Sequence, residues 1–465
     1  MDNIHACRSP QYSVRRLPVY AWNGALLGAH SLTKHAKAAI ELAKMRFPSV
    51  SIRPERYKMM GNCRVCGSAI SSFMSFGKMP IANAFLRAED FGREHFFELA
   101  PAFCQSCEAF QIVEQPAPDM MFHSDYAFFS GTSRNMTEHF KRYAAEVKDR
   151  YLNGPDPFVV EIGSNDGILI GNFAAAGIRH LGVEPSANVA AVAKQKGVNT
   201  IVRFFDAACA RKIVEQHGKA DAIVAANVIC HIPNIDAVAA GVKLLLKPAG
   251  VFLFEEPYLG DMVRKTSYDQ IYDEHVFIFS VGSVSRAFSK HGLEVFSAEP
   301  QSTHGGSMRY TLAPTGSRPT DPSVARQLAI EAGLGLGRAE TYEKFRVNCE
   351  KSREGLTTLL RRLRRESKKV VGYGATSKST TVLNYCGIGP DDIEFISDTT
   401  PIKQGKFTPG SHIPVRSPEA FYRKFPDYAV LFAWNHAAEI REKETAFLAA
   451  GGRWIVYVPE VGIIA

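Results

Sequence analysis

Apolar residues in this chain gather in short unbroken runs, each closed by a glycine turn or a polar residue. Phe158-Val159-Val160 runs into Glu161-Ile162-Gly163-Ser164-Asn165-Asp166-Gly167, and Ile168-Leu169-Ile170 then opens a helix-like stretch. Leu181-Gly182-Val183 ends in Glu184, and Asp221 to Ala226 ends in Asn227. Val251 to Phe254 ends in Glu255-Glu256, after the turn Lys247-Pro248-Ala249-Gly250. Runs without in-and-out alternation predict parallel strands covered on both faces. Met308 to Leu312 reads as a further strand, and from about 314 to 366 the pattern turns polar and helical. Lys369-Val370-Val371-Gly372-Tyr373-Gly374 then feeds Ala375-Thr376-Ser377-Lys378, which repeats the strand, glycine turn and helix start. Ile393 to Asp398 and Val430 to Asn435 read as later strands of that second unit. The pattern predicts an α/β protein with two Rossmann-like sheets.

Residues 1–58 lack this cadence. They carry scattered basic residues, with some helical periodicity from His35 to Met45, and Met59-Met60 stands just before the first organised motif. A poorly ordered extension, a short helical arm or a true start at Met59 or Met60 would each account for them. The expected organisation is therefore 1–58 as an extension, 59–120 as a small cysteine module and 121–315 as the first α/β domain. A helical linker at 316–366 and a second α/β domain at 367–465 complete it.

The first glycine turn carries the most chemistry. A strand that ends in a glycine-rich turn and enters a helix is the nucleoside-binding corner of an open α/β sheet. Yet no G-x-G-x-x-G is present and no Lys-Ser/Thr follows, so neither a dinucleotide loop nor a P-loop fits. Glu161, Asn165 and Asp166 would repel a pyrophosphate and suit a cationic ligand. S-adenosylmethionine, with a sulfonium and an amino group, is such a ligand. Glu184, 23 positions after Glu161 and at the end of the next strand, is placed to accept ribose hydroxyls. The candidate cofactor residues are Glu161, Gly163, Asn165, Asp166, Gly167, Glu184 and Asn227, and the strand cadence is that of a class I methyltransferase.

Cys63-Arg64-Val65-Cys66 and Cys104-Gln105-Ser106-Cys107 form two C-x-x-C pairs. Two such knuckles supply four thiolates for a closed tetrahedral zinc site, which has no open position for a substrate. The wide gap between them leaves room for a hairpin and a loop within Phe73 to Leu99. Cys7, Cys209, Cys230, Cys349 and Cys386 are unpaired and read as inert. Composition adds little. A chain of 465 residues with 46% hydrophobic and 22% charged residues is ordinary for two or three globular domains. No apolar run spans a bilayer and no basic-aromatic module argues for nucleic acid. The net charge of +8 is fed by Arg361-Arg362-Leu363-Arg364-Arg365, which reads as a solvated helix face. A monomer in a reducing cytoplasm is the expectation.

Taken together, the cysteine module, the E-x-G-S-N-D-G core and the second α/β domain resemble the sugar C-methyltransferases of deoxysugar biosynthesis. The matching segments include Pro80-Ile81-Ala82-Asn83, Asp125-Tyr126-Ala127-Phe128-Phe129-Ser130 and Asn227-Val228-Ile229-Cys230-His231-Ile232-Pro233. They also include Ile271-Tyr272-Asp273-Glu274-His275 and His304-Gly305-Gly306-Ser307-Met308-Arg309, while residues 1–58 lie outside the resemblance. The resemblance implies methyl transfer from S-adenosylmethionine to C3 of a nucleotide-linked 4-keto-6-deoxyhexose. Carbon must become nucleophilic for that, which calls for a base of near-neutral pKa and donors facing an enolate oxygen. Tyr272-Asp273-Glu274-His275 offers both, after an expected strand–loop transition. The catalytic candidates are His275, Glu274 and Tyr272, joined by Tyr126 and His231, with the choice between Glu274 and His275 as base left open. Candidates for holding the nucleotide sugar are His304, Gly306 and Arg309, the last as a diphosphate partner, and Thr376, Ser377, Lys378, Trp434 and Asn435.

Overall fold

The computed structural model describes residues 59–465, apart from 124, 125, 127–129 and 133. The readings made for residues 1–58, and for Asp125, Ala127, Phe128 and Phe129, lie outside the described residues.

A seven-stranded sheet forms the centre. Its order is Leu293–Gln301, Ser307–Pro314, Leu246–Pro257, Ala220–Ala226, Phe158–Ile162, Arg179–Val183 and Thr200–Ile201. The last five strands in that order run parallel, and Ser307–Pro314 is antiparallel to both of its neighbours. Phe158–Ile162 is buried at every position, as its unbroken apolar run requires. The chain leaves this strand in one direction and Ala220–Ala226 in the other. That reversal opens a crevice beyond their carboxyl ends.

A second sheet repeats the arrangement. Its order is Val415–Arg416, Ile396–Ser397, Val370–Tyr373, Tyr428–Leu431, Arg453–Val456 and Gly462–Ile464, with only the last pairing antiparallel. Its own switch point lies between Val370–Tyr373 and Tyr428–Leu431, the strands that precede Thr376–Lys378 and Trp434–His436.

The cysteine module is less separate than its sequence suggests. Pro101–Phe103 and Phe110–Ile112 form a sheet whose third strand is Phe277–Ile278, supplied from far downstream. Lys78–Pro80 pairs with Phe96–Glu98, the hairpin expected in the gap between the cysteine pairs. The helical stretch is more than a linker, too. Helix Ala339–Arg365 buries Tyr342, Phe345, Leu356, Leu360 and Leu363. Tyr342 stacks on Phe103 of the cysteine module at 4.4 Å between ring centroids. Among the described residues no helix is long and apolar enough to cross a membrane.

Candidate active site

A cavity of about 300 Å³ occupies the junction of the three parts. The central sheet presents Gly163, Asn165, Glu184 and Asn227 to it. The second sheet presents Thr376, Ser377, Lys378 and Asn435. Between them the segment Gln270 to His275 forms one wall, faced by Tyr126, His231 and His304.

The turn after Phe158–Ile162 is shaped by close approach. Gly163 adopts φ +69°, and a Cβ there would lie 2.4 Å from Val228 Cγ2. Asn165 and Asn227, at φ +46° and +54°, occupy the left-handed region that asparagine tolerates among the non-glycine residues. The Glu184 carboxylate accepts the backbone N–H of Asn165 at 2.9 Å and of Ser186 at 2.8 Å, so it shapes the turn while facing the cavity. Burial raises its pKa. Three of the expected cofactor residues stand behind this surface, away from the cavity. Glu161 accepts the Ile170 N–H at 2.8 Å and caps the following helix, and its burial pushes its pKa well up. Asp166 takes the Gly131 N–H and the Lys196 ammonium, at 3.3 and 3.1 Å. Gly167 packs on Val198 and Ala193.

The Ile271–His275 wall is buried and held from two sides. The Ala82 N–H donates to the Asp273 carboxylate at 3.2 Å, and Thr381 Oγ1 donates to the Ile271 carbonyl at 2.8 Å. Tyr268–Gln270 is a 3-10 turn, so this segment follows no strand, contrary to the expected strand–loop transition. Its apolar residues are spent on the junction core instead.

Within the wall, His275 has a defined tautomer. Its Nδ1 lies 2.7 Å from the Gln270 carbonyl, which only accepts, so Nδ1 carries the proton. Nε2 is left as a lone pair and receives the Tyr272 hydroxyl at 2.7 Å. Burial, then the neighbouring His231, keep His275 well below the usual histidine range. Glu274 is held differently. Asn83 Nδ2 donates to one oxygen at 2.6 Å and Tyr126 Oη to the other at 3.0 Å. Burial raises its pKa, while these two donors and the charge of Lys403 act in the opposite sense. The His231 ring stacks on His275 at 5.3 Å, and its buried Nε2 has no partner among the described residues. Burial lowers His231 to about 3.

The second sheet contributes cations. Lys378 Nζ reaches Asn435 Oδ1 at 3.3 Å and the His304 carbonyl at 3.4 Å. Burial lowers its pKa to about 8, against the opposing charge of Asp269. Thr376 Oγ1 accepts the Ser379 N–H at 3.1 Å and caps the helix that carries Lys378. Three expected sugar-binding residues do not reach the cavity. Arg309 is directly opposite Glu255 on the neighbouring strand. Its Nε donates to Glu255 at 2.6 Å, it pairs with Glu146, and it lies 4.0 Å over the Tyr143 ring. With its charge already answered, Arg309 is a buried strut and not a free diphosphate partner. Gly306 admits Asp261, and Gly305 admits the Trp434 ring, so these glycines serve protein side chains rather than a ligand. Trp434 stands behind Lys378, 5.2 Å from its ammonium, and donates Nε1 to Asp269 at 2.6 Å.

Sequence reasoning missed Asn83, Gln270 and Lys403. Asn83 had a signal, since it ends the Pro80-Ile81-Ala82-Asn83 segment. Lys403 had none: it reaches the cavity from a short 3-10 turn and donates to the Ala375 carbonyl at 2.8 Å.

The four cysteines of the module converge. Their sulfurs lie within 4.8 Å of one another, with Cys63–Cys107 and Cys66–Cys104 each at 3.5 Å. Four thiols at this spacing fit one tetrahedral zinc ion and exclude a substrate ligand. Gln111 Nε2 donates to Cys63 Sγ at 3.1 Å, an outer contact that steadies the sulfur.

Three family models match the chain in succession. Residues 63–122 match a family model for a zinc binding domain, 134–298 one for a methyltransferase domain, and 302–459 one for a C-methyltransferase C-terminal domain. The C-methyltransferase NovU of Streptomyces niveus is 37% identical over 406 residues, covering 87% of this chain and 96% of that protein. The chain belongs to this C-methyltransferase family. It is an S-adenosylmethionine-dependent C-methyltransferase with a zinc module. Among solved structures, the magnesium protoporphyrin IX methyltransferase ChlM of Synechocystis PCC 6803 is 14% identical with a TM-score of 0.29. That match covers 38% of this chain and 79% of ChlM. CcbJ of Streptomyces caelestis is 13% identical with a TM-score of 0.30, covering 38% of this chain and 90% of CcbJ.

Proposed function

We propose that this C-methyltransferase acts on a nucleotide-linked 4-keto-6-deoxyhexose, at C3, through an enolate. The observation that carries the reading is the Gln270 carbonyl–His275–Tyr272 array on the cavity wall. S-adenosylmethionine supplies the electrophilic methyl when bound, and Glu184, Asn165, Gly163 and Asn227 are the residues that would hold it.

Protein groups do the rest. A neutral imidazole with Nδ1–H anchored has its Nε2 lone pair available to take the proton α to a ketone; burial lowers its basicity, and the enolate that forms beside the imidazolium offsets that penalty. The Tyr272 hydroxyl, released from Nε2 as the proton arrives, donates to the developing enolate oxygen. Glu274 has both oxygens engaged by donors, which suits an anion that orients Tyr126 and balances the imidazolium. We therefore assign proton removal to His275 and positioning to Glu274. Lys378, Lys403 and the Thr376–Ser377 turn face the cavity from the second sheet, and cations there suit a nucleotide diphosphate.

The test is an incubation in D₂O with a panel of nucleotide-linked 4-keto-6-deoxyhexoses, with and without S-adenosylmethionine, read by mass spectrometry. One sugar should gain a methyl group in a donor-dependent reaction. His275→Ala should lose that gain by about 100-fold or more, and α-deuterium exchange with it. Methylation on oxygen or nitrogen, or full exchange in His275→Ala, would refute the assignment.

A further inference from the structure

Gln270 is nearly fully buried on the cavity wall, and nothing in the methyl transfer described above uses its side chain. Its amide is locked in one orientation. Nε2 donates to the His304 carbonyl at 2.6 Å, and a carbonyl accepts only, so the amide cannot turn over without setting two acceptors against each other. Oε1 is therefore an obligatory acceptor. It is buried and has no hydrogen-bond partner among the described residues. A buried acceptor left unpaired is costly, so a donor that reaches it from the adjoining cavity would be favoured.

The same residue's backbone carbonyl fixes His275, so this acceptor is tied to the base and to the reacting carbon. His304, which fixes the amide, is itself fixed by Lys378 Nζ on its carbonyl and by Asn227 Nδ2 on its ring at 3.1 Å. Acceptor, base and cationic wall thus share one frame.

We propose that Gln270 is a specificity-determining residue: its Oε1 accepts a hydrogen bond from a hydroxyl or amino substituent next to the reacting carbon. The enzyme then favours sugars bearing such a donor over their deoxy counterparts. A site built to pair a polar group rejects the analogue that lacks it more strongly than an apolar pocket rejects an added group. This inference rests on the keto-sugar reading above.

The experiment compares two nucleotide-linked 4-keto-6-deoxyhexoses differing by one ring hydroxyl beside the methylated carbon, using wild type, Gln270→Met and Gln270→Glu. S-adenosylmethionine binding, measured by titration calorimetry, reports that each variant is folded. Wild type should prefer the hydroxylated sugar. In Gln270→Met, kcat/KM should fall about 10- to 100-fold on that sugar and less than about 3-fold on the deoxy sugar, erasing the preference. Gln270→Glu retains an acceptor but sets a carboxylate against the His304 carbonyl, and should keep the preference at reduced kcat. Equal losses on both sugars would make Gln270 a structural residue and overturn the inference alone. No turnover of either sugar by wild type would overturn the keto-sugar reading, and the inference with it.

Discussion

Replacing Gly163 by alanine tests whether the cofactor turn and the His231 turn are packed as one unit. Two costs follow from the geometry. The residue sits at φ +69°, where an L side chain costs about 1–2 kcal/mol. The new Cβ would also fall 2.4 and 3.0 Å from the Val228 methyl carbons and 2.7 Å from its Cβ. Relieving such overlap in a packed site costs typically about 1–3 kcal/mol. The sum is a destabilisation of about 2–5 kcal/mol, read as a shift in urea midpoint at unchanged slope. Val228 must yield, and it precedes the 3-10 turn Ile229–His231, so the displacement reaches the base's neighbour. Binding of S-adenosylmethionine should weaken in parallel, since Gly163 and Val228 both line the cavity. The companion Val228→Ala removes the two methyl contacts. In the double variant at least about 1 kcal/mol of the Gly163→Ala loss should return as coupling energy. A Gly163→Ala protein within about 0.5 kcal/mol of wild type, or a loss that Val228→Ala leaves untouched, would refute the argument.

Two further outcomes are expected. Metal analysis should give close to one zinc per chain, and Cys63→Ser or Cys107→Ser should lose that metal and lower the unfolding temperature; full zinc retention would rule out the four-thiolate site. His231 titrates near 3 when folded and near its ordinary value when unfolded, so below about 6.5 the unfolded chain binds a proton the folded one refuses. This contribution is intact above that pH and is lost as pH falls toward 3. At pH 5 it amounts to about 2 kcal/mol, so the stability gap between wild type and His231→Gln should narrow by that much between pH 7.5 and pH 5. A gap independent of pH would show that His231 is not buried neutral.

Strand positions were legible because local pattern determines them, whereas the grouping of Tyr272, Glu274, His275, Tyr126 and His231 was implied by the family resemblance. A buried parallel strand announces itself by an unbroken apolar run, and a strand-end acid by its place after one. Arg309 was misread because its role is set by register. Only the pairing of Ser307–Pro314 with Leu246–Pro257 puts it opposite Glu255, and no local pattern encodes that partner. Glu161 and Asp166 were correctly located but assigned to the wrong side of their turn. Which way a carboxylate points depends on the helix N–H or lysine that claims it. Gln270 and Lys403 lay beyond reach for a related reason: each acts from a short 3-10 turn, and its partner, His304 or Ala375, is brought to it by the tertiary fold.

The strand that Phe277–Ile278 lends to the cysteine module orders events at the ribosome. Phe110–Ile112 is made long before its partner, 165 residues intervening between Ile112 and Ile278. At about 5–20 residues per second, the delay is roughly 10–30 seconds. The two cysteine knuckles, complete at Cys107, are already synthesised during that interval, while one edge of their sheet has no strand to pair with. An early-captured metal ion would then hold the nascent module in shape until the downstream strand arrives.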